Sequence, residues 1–288
     1  MNINKIIDTH THVYPPDIIS DWLMIAARES VFAAEVSGKA HKWAAGEDIL
    51  AAMEEDGVDE SWICGFGFTD LALCRLCNDY VLECAASSGG RLKALAVVPP
   101  LSRGAADEIA RCAELGAVGV GEILPDGQNF CIERIDETWR FAAACHESGL
   151  FVLLHTADPV GRDYPGKGRA GPIEAYAFAL NHPELHIVLA HCGGGLFLYE
   201  LMEDVKIALK NVWYDTAAAP FLYSPSVFNS ILTSNARDKF LYGSDFPILR
   251  FQRYRGMIEG SAFIDKDLDR LLSGNATRLL NSLGALSQ

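Results

Sequence analysis

The chain has 288 residues, half of them hydrophobic, enough for the core of one large α/β domain. Asp and Glu number 38 against 24 Lys and Arg, a formal charge of -14, so the average surface field repels phosphate backbones and anionic membranes and disfavours both as partners. No uninterrupted apolar run approaches the roughly 20 residues of a bilayer span and the N-terminus lacks the pattern of a secretory leader, so the expectation is a cytoplasmic protein acting on a small molecule.

The first apolar run, KIIDTHTHV, carries His10 and His12 at its end. In a strand, residues i and i+2 face the same way, so two imidazoles project together and can grip one metal ion, while Asp8 is expected to face away and bond locally. Tyr14 to Gly46 follows, longer than an ordinary connection and read as an insertion, or lid, over the mouth of the fold. Its aromatic residues Trp22, Phe32 and Trp43 either pack on their own barrel or meet a second copy in a homo-oligomer.

Helix EDILAAMEEDG, strand SWICGFG and helix DLALCRLCNDYVLECAASS come next. CRLC lacks a glycine knuckle and a second compact pair, so Cys74, Cys77 and the other cysteines read as reduced, small hydrophobes in helix packing. Strand LKALAVVPP, helix GAADEIARCAELG and strand AVGVGEIL bring the chain to Glu122. After helix ERIDETWRFAAACHESG, strand FVLLHTA ends on His155, and the loop DPVGRDYPGKGRAG supplies Arg162, Lys167 and Arg169.

Helix GPIEAYAFALNHP leads to strand HIVLAHCG with His191. Cys192 alternates with His191 and should face the helix layer. Gly193 to Gly195 are expected to open the next helix, within GGLFLYELMEDVKIALKN, where free amides can receive an anion or close packing demands glycine. Strand VWYDTAAA, helix SPSVFNSILTSNARD, strand FLYGSDFP with Asp245, Arg250, and helices RYRGMIEGSAF and DKDLDRLLSGNATRLLNSL complete the chain. GSD lacks the GxSxG elbow of a serine nucleophile. His41, His146, His182 and His186 fall in the insertion, on a helix, before Pro183 and at a strand start, and read as structural or surface residues.

Eight continuous apolar strands alternating with helices predict a (β/α)8 TIM barrel, one domain over 1–288 with 14–46 inserted after strand one. No GxGxxG follows the first strand, which argues against a doubly wound sheet. The C-terminal ends of barrel strands form the active-site mouth, and there stand His10, His12, Glu122, His155, His191 and Asp245, groups costly to bury unless paired or metal-bound.

This set, with AHCGGG, YGSDFP and the closing GNATRLL, resembles the metal-dependent amidohydrolase superfamily, in particular its amidohydrolase-related (amidohydrolase 2) branch, over almost the entire chain. The resemblance implies that His10, His12 and Asp245 hold the more buried metal. His155 and His191 would hold a second, or His191 would polarise the substrate in a one-metal enzyme. Glu122 departs from members that bridge two metals with a carboxylated lysine and resembles the bridging glutamate of the TatD-like branch and some phosphotriesterase relatives. The donor set suits zinc, one ion or two, with manganese or iron(II) as substitutes.

The function so implied is a hydrolase that activates water to attack an amide, lactone or related carbonyl, with Asp245 and His191 as the catalytic residues. Arg162 and Arg250, with Lys167 and Arg169 nearby, are cations placed to bind a substrate carboxylate. The chief rival is a non-oxidative decarboxylase of an aromatic or muconate-type acid, a group that often lacks a strand-four ligand. Further off stand a TatD-like nuclease, opposed by the net charge, and an inactive scaffold.

Overall fold

Eight parallel strands pair in the order in which they occur: β1 (Ile7–His12), β2 (Glu60–Cys64), β3 (Leu92–Ala96), β4 (Gly119–Ile123), β5 (Phe151–Leu154), β6 (Ile187–Leu189), β7 (Val212–Asp215) and β8 (Phe240–Leu241). The computed structural model describes residues 3–39 and 41–284; the ends of the 1–288 span and position 40 of the insertion lie outside the described residues. The ring closes beyond β8. Thr9 N–H donates to the Tyr242 carbonyl at 2.9 Å, Asp245 N–H to that of His10 at 3.0 Å, and His12 N–H to that of Phe246 at 2.7 Å. The fold is therefore the expected TIM barrel.

Alternation along the strands produces two apolar shells, as parallel strands covered on both faces require. Trp62, Leu95, Phe151, Leu153, Val188 and Trp213 belong to the cluster that fills the barrel. Ile63, Val120, Val152, Leu189, Tyr214 and Phe240 belong to the cluster packed against the helices. Gly119 is set by this interior, since a Cβ there would lie 2.6 Å from the Phe151 ring.

The insertion forms three short helices, α1 (Pro16–Ser20), α2 (Trp22–Ala26) and α3 (Ser30–Val36). Phe32 is fully buried against Phe66 and Phe68, so this segment packs on its own barrel. The crossovers are α4 (Gly46–Asp56), α5 (Leu71–Ser87), α6 (Ala105–Glu114), α7 (Ile135–Glu147) and α8 (Pro172–Asn181). Their ends follow local chemistry: Asp70 caps α5 by accepting from Ala72 N–H at 2.8 Å, and α4 stops at Gly57 in the left-handed region.

Cys74 and Cys77 are buried within α5, and all eight cysteines are free thiols. The Cys77 side chain occupies the space where a Cβ on Gly65 would stand, 2.4 Å away, which is the packing role expected of it.

Two elements differ from the sequence pattern. The helix expected from Gly194 to Asn211 is a 3-10 segment (His191–Leu201) followed by α9 (Glu203–Ala208), with Met202 extended between them. Gly193 to Gly195 cause this: all three are left-handed, with φ of 63, 57 and 91°, and cannot open an α-helix. Added Cβ atoms at Gly193 and Gly194 would strike the Tyr214 ring and the Ala157 carbonyl, so close packing accounts for these glycines. The last strand is also shorter than FLYGSDFP: it ends at Leu241, and Asp245, four residues on, adopts φ 66°.

After β7 come α10 (Ala219–Leu222), α11 (Ser226–Thr233), α12 (Phe251–Glu259), α13 (Asp265–Asp269) and α14 (Asn275–Gly284). The GNATRLL segment anchors the closing strand, as Asn275 Nδ2 donates to the Phe240 carbonyl at 2.7 Å. Among the described residues no helix is long and apolar enough to cross a membrane.

Candidate metal centre

Six side chains meet at the C-terminal rim of the barrel. His10 Nε2 and His12 Nε2 lie 3.1 Å apart, and Glu122 Oε2 stands 3.6 and 3.7 Å from them. Asp245 Oδ1 approaches the same pair, 3.5 Å from His12 Nε2 and 3.9 Å from His10 Nε2. The other carboxylate oxygen of Glu122, Oε1, turns to a second pair: His155 Nδ1 at 2.9 Å and His191 Nε2 at 3.3 Å, themselves 3.1 Å apart.

These spacings fit divalent ions. Ligands about 2.1 Å from a zinc-like centre are separated by about 3.4 Å in a tetrahedron and about 3.0 Å at right angles. The two triads, His10–His12–Glu122 and Glu122–His155–His191, have their ligand atoms within 4.8 Å of one another and share the glutamate. Ring nitrogens at 3.1 Å with both lone pairs directed inward repel unless a cation or a proton stands between them.

The outward nitrogens show which tautomers the protein enforces. His10 Nδ1–H donates to Asp215 Oδ2 at 2.7 Å, His191 Nδ1–H to the Ala217 carbonyl at 3.1 Å, and His155 Nε2–H to the Lys167 carbonyl at 3.0 Å. His12 Nδ1 faces Cys64 Sγ at 3.3 Å and the Gly65 carbonyl at 3.5 Å. Each imidazole thus presents its remaining lone pair to the centre, the arrangement that orients histidine ligands.

Asp215 is central to this arrangement and was not singled out in the sequence. Its Oδ1 accepts from the backbone N–H groups of His191 and Ala217, both at 2.9 Å, so one carboxylate at the end of β7 fixes His10 and β6 together. The signal was VWYD, an acid closing an apolar strand as the other rim residues do. Asp8 faces away as expected, accepting from Ser244 N–H at 2.8 Å.

The electrostatics agree with a site that holds positive charge. Burial works against the ionised form of Glu122, but His10 and His155 hold its carboxyl well below the usual range, and Asp245 is likewise lowered against burial by His12 and His10. Burial opposes protonation of His191, yet Glu122 raises it to about 9. Protons on imidazoles are therefore favourable in place of a cation. His191 and Asp245 also adopt left-handed backbone, φ 57 and 66°, a conformation that costs on the order of 1–3 kcal/mol for such residues and clusters at functional sites.

A cavity of about 340 Å³ opens above the centre. Its floor includes His12, Glu122, His155, His191 and Asp245, its apolar wall Leu124, Phe221, Leu222 and Ile248, and its roof Val31, Ala34 and Glu35 of α3. Arg162 lines this cavity, and its guanidinium has no ion pair or hydrogen bond among the described residues.

Arg250 departs from the expectation. Its guanidinium binds Asp56 and Glu55 at 2.8 Å and the Ala52 carbonyl at 3.1 Å, which commits it to α4 and away from the cavity. Lys167 is knotted into its own loop through the Val160 and Arg162 carbonyls, and Arg169 is absent from the cavity wall. His41, read as a structural residue, does line the cavity, with its ring 4.4 Å from that of Trp43.

A family model described as Amidohydrolase matches residues 7–281. No curated protein sequence matches the chain at a significant level. Among solved structures, 5-carboxyvanillate decarboxylase from Novosphingobium aromaticivorans, complexed with manganese and a nitrobenzoic acid, is similar with a TM-score of 0.76 at 17% identity, over 96% of both chains. A dihydroxybenzoic acid decarboxylase from a Polaromonas species, with bound manganese and 2-nitroresorcinol, has a TM-score of 0.73 at 16% identity over 97% of both chains. A probable 2-pyrone-4,6-dicarboxylic acid hydrolase from Acinetobacter baumannii, with citric acid bound, has a TM-score of 0.64 at 16% identity, over 96% of this chain and 100% of the other.

Proposed function

Because the chain belongs to the amidohydrolase family, enzymes built on this barrel, we propose that it is a two-metal hydrolase of a small carboxylated molecule, attacking an amide, lactone or related carbonyl. Glu122 carries this reading: its two oxygens address different histidine pairs, His10 with His12 and His155 with His191. Divalent ions held there, zinc or manganese by the nitrogen and oxygen donors, would supply Lewis acidity and bring the pKa of water down toward about 7.

Asp245 borders both the His10–His12 pair and the cavity, and its carboxylate is kept ionised, so it takes the proton of the attacking water and returns it to the leaving group. His191 faces the cavity beside His155 and steadies the carbonyl under attack. Arg162 receives the substrate carboxylate at the mouth. The 14–46 insertion acts as a lid whose apolar side chains limit water around the substrate.

The activities of the similar decarboxylases favour a second reading, loss of carbon dioxide from an aromatic acid, with one ion at His10, His12 and Asp245 and His191 delivering the proton. Metal content and a product panel separate the two. Two equivalents of metal per chain, reduced in Glu122→Ala together with ester, lactone or amide turnover, is the expected result. One equivalent with carbon dioxide released from aromatic acids overturns hydrolysis in favour of the second reading. No turnover after loading with zinc or manganese overturns both and leaves a scaffold.

A further inference from the structure

Within the insertion two glutamates, Glu29 and Glu35, are used in opposite ways. Glu29 is buried and fully engaged: it accepts from Thr69 N–H at 3.1 Å, Thr69 Oγ1 at 2.8 Å and Asp70 N–H at 3.2 Å, tethering the insertion to the start of α5. Glu35, near the end of α3, is half-buried on the cavity wall, and its carboxylate has no hydrogen bond or ion pair among the described residues. It sits where the insertion meets the 158–171 loop: a Cβ added to Gly166 would come 3.6 Å from Glu35 Oε2.

The same wall carries Val31, Ala34, Leu124, Pro125 and Pro165, and of its donor side chains, Ser30, Lys39, His41, Arg162 and Tyr164, none forms a hydrogen bond or ion pair with this carboxylate among the described residues. A carboxylate in such surroundings loses hydration without compensation. Burial pushes its carboxyl up to about 7; His12 and His155 favour its ionised form while Asp245 and Glu122 oppose it, so Glu35 lies within electrostatic reach of both halves of the centre. A group that only held the insertion in place would be wired as Glu29 is.

We propose that Glu35 is a specificity-determining residue that accepts a hydrogen bond from a hydroxyl or amino group on the substrate, at a position away from the carboxylate bound by Arg162 and the metal centre. The inference rests on the reading of the cavity as the site of a small carboxylic acid. The favoured substrate is then an acid with a donor substituent, such as a phenolic or amino acid, in preference to its methylated counterpart. A hydrogen bond to a charged acceptor predicts discrimination of about tenfold or more.

The test uses the manganese-loaded protein and isothermal titration with benzoates carrying a hydroxyl, amino or methoxy group at each ring position. Wild type should bind at least one hydroxy- or aminobenzoate about tenfold more tightly than the matching methoxybenzoate, and which of the two it favours identifies the donor. Glu35→Leu should abolish that preference with metal content unchanged, and Glu35→Gln, whose amide oxygen still accepts, should keep part of it.

Preference intact in both variants overturns the proposal, as does a fall in Tm in both with preference intact, which assigns Glu35 to packing. Wild type binding the ring acids without donor preference overturns this inference alone. Failure of wild type to bind any of them overturns the carboxylated-substrate reading as well.

Discussion

Glu108 and Glu122 are both buried carboxylates, and the protein completes one of them and not the other. Glu108, on α6, receives Arg111 at 2.7 and 2.9 Å, Arg75 at 3.0 Å and Asn78 Nδ2 at 2.9 Å, so its charge is matched by fixed side chains. Glu122, at the end of β4, faces only imidazole nitrogens, with Asp245 across the same pair. The first arrangement is a finished structural knot. The second gathers donors toward a common centre and needs positive charge to be complete, which is what separates a metal site from an ordinary buried ion pair.

The comparison breaks most visibly at the ligands. His12→Ala removes one of the two nitrogens facing Glu122 Oε2, and with several kcal/mol of Lewis-acid stabilisation at stake the loss of kcat/KM should be on the order of 10³-fold. Elemental analysis should show the accompanying metal loss; full turnover in this variant would dissolve the distinction between the two glutamates.

Asp215→Asn probes the support behind the ligands. Oδ1 is held by two backbone N–H groups, so the new amide nitrogen must face His10 Nδ1, which is forced to accept and to carry its proton on Nε2, the atom meant for metal. Metal affinity should fall by about 10- to 100-fold. An unchanged affinity by competition with a chelator would mean that Asp215 does not set the tautomer.

Glu108→Gln sharpens the contrast from the other side. Its arginine partners are partly exposed and can rehydrate, so the cost should be about 2 kcal/mol, read from urea denaturation. Metal at about 100 times its Kd should stabilise both wild type and this variant by about 2.7 kcal/mol, and should stabilise Glu122→Gln far less.

The barrel was legible because strands buried on both faces carry a continuous apolar signal, and the rim residues because a polar side chain closing such a strand stands out. His10, His12, Glu122, His155, His191 and Asp245 are brought together for that reason. Asp215 obeys the same rule, but its role behind His10 rests on a partner 205 positions away in the chain, which no local pattern displays. Arg250 illustrates the converse: proximity to β8 in the chain says nothing of direction, and its guanidinium turns to Glu55 and Asp56. Glu35 and His41 were hidden because the insertion has no period from which a facing can be read. The left-handed run at Gly193 to Gly195 replaced a helix for a tertiary cause, the ring of Tyr214 and the carbonyl of Ala157 beneath it.

The last expected effect is one of pH. Burial alone would raise the carboxyl of Glu108, but Arg111, Asn78 and Arg75 together bring it down to about 2, below its ordinary value of 4.5. A carboxyl depressed by folding contributes stability that is complete above about pH 4.5 and fades as pH falls through about 2. Glutamine carries no such proton. The stability difference between wild type and Glu108→Gln should therefore be flat from neutrality down to about pH 4.5 and shrink below it, by an amount on the order of 2 kcal/mol. A difference that stays constant to pH 2.5 would mean that Glu108 works through shape and neutral hydrogen bonds, and the charge-matched half of the comparison would fall.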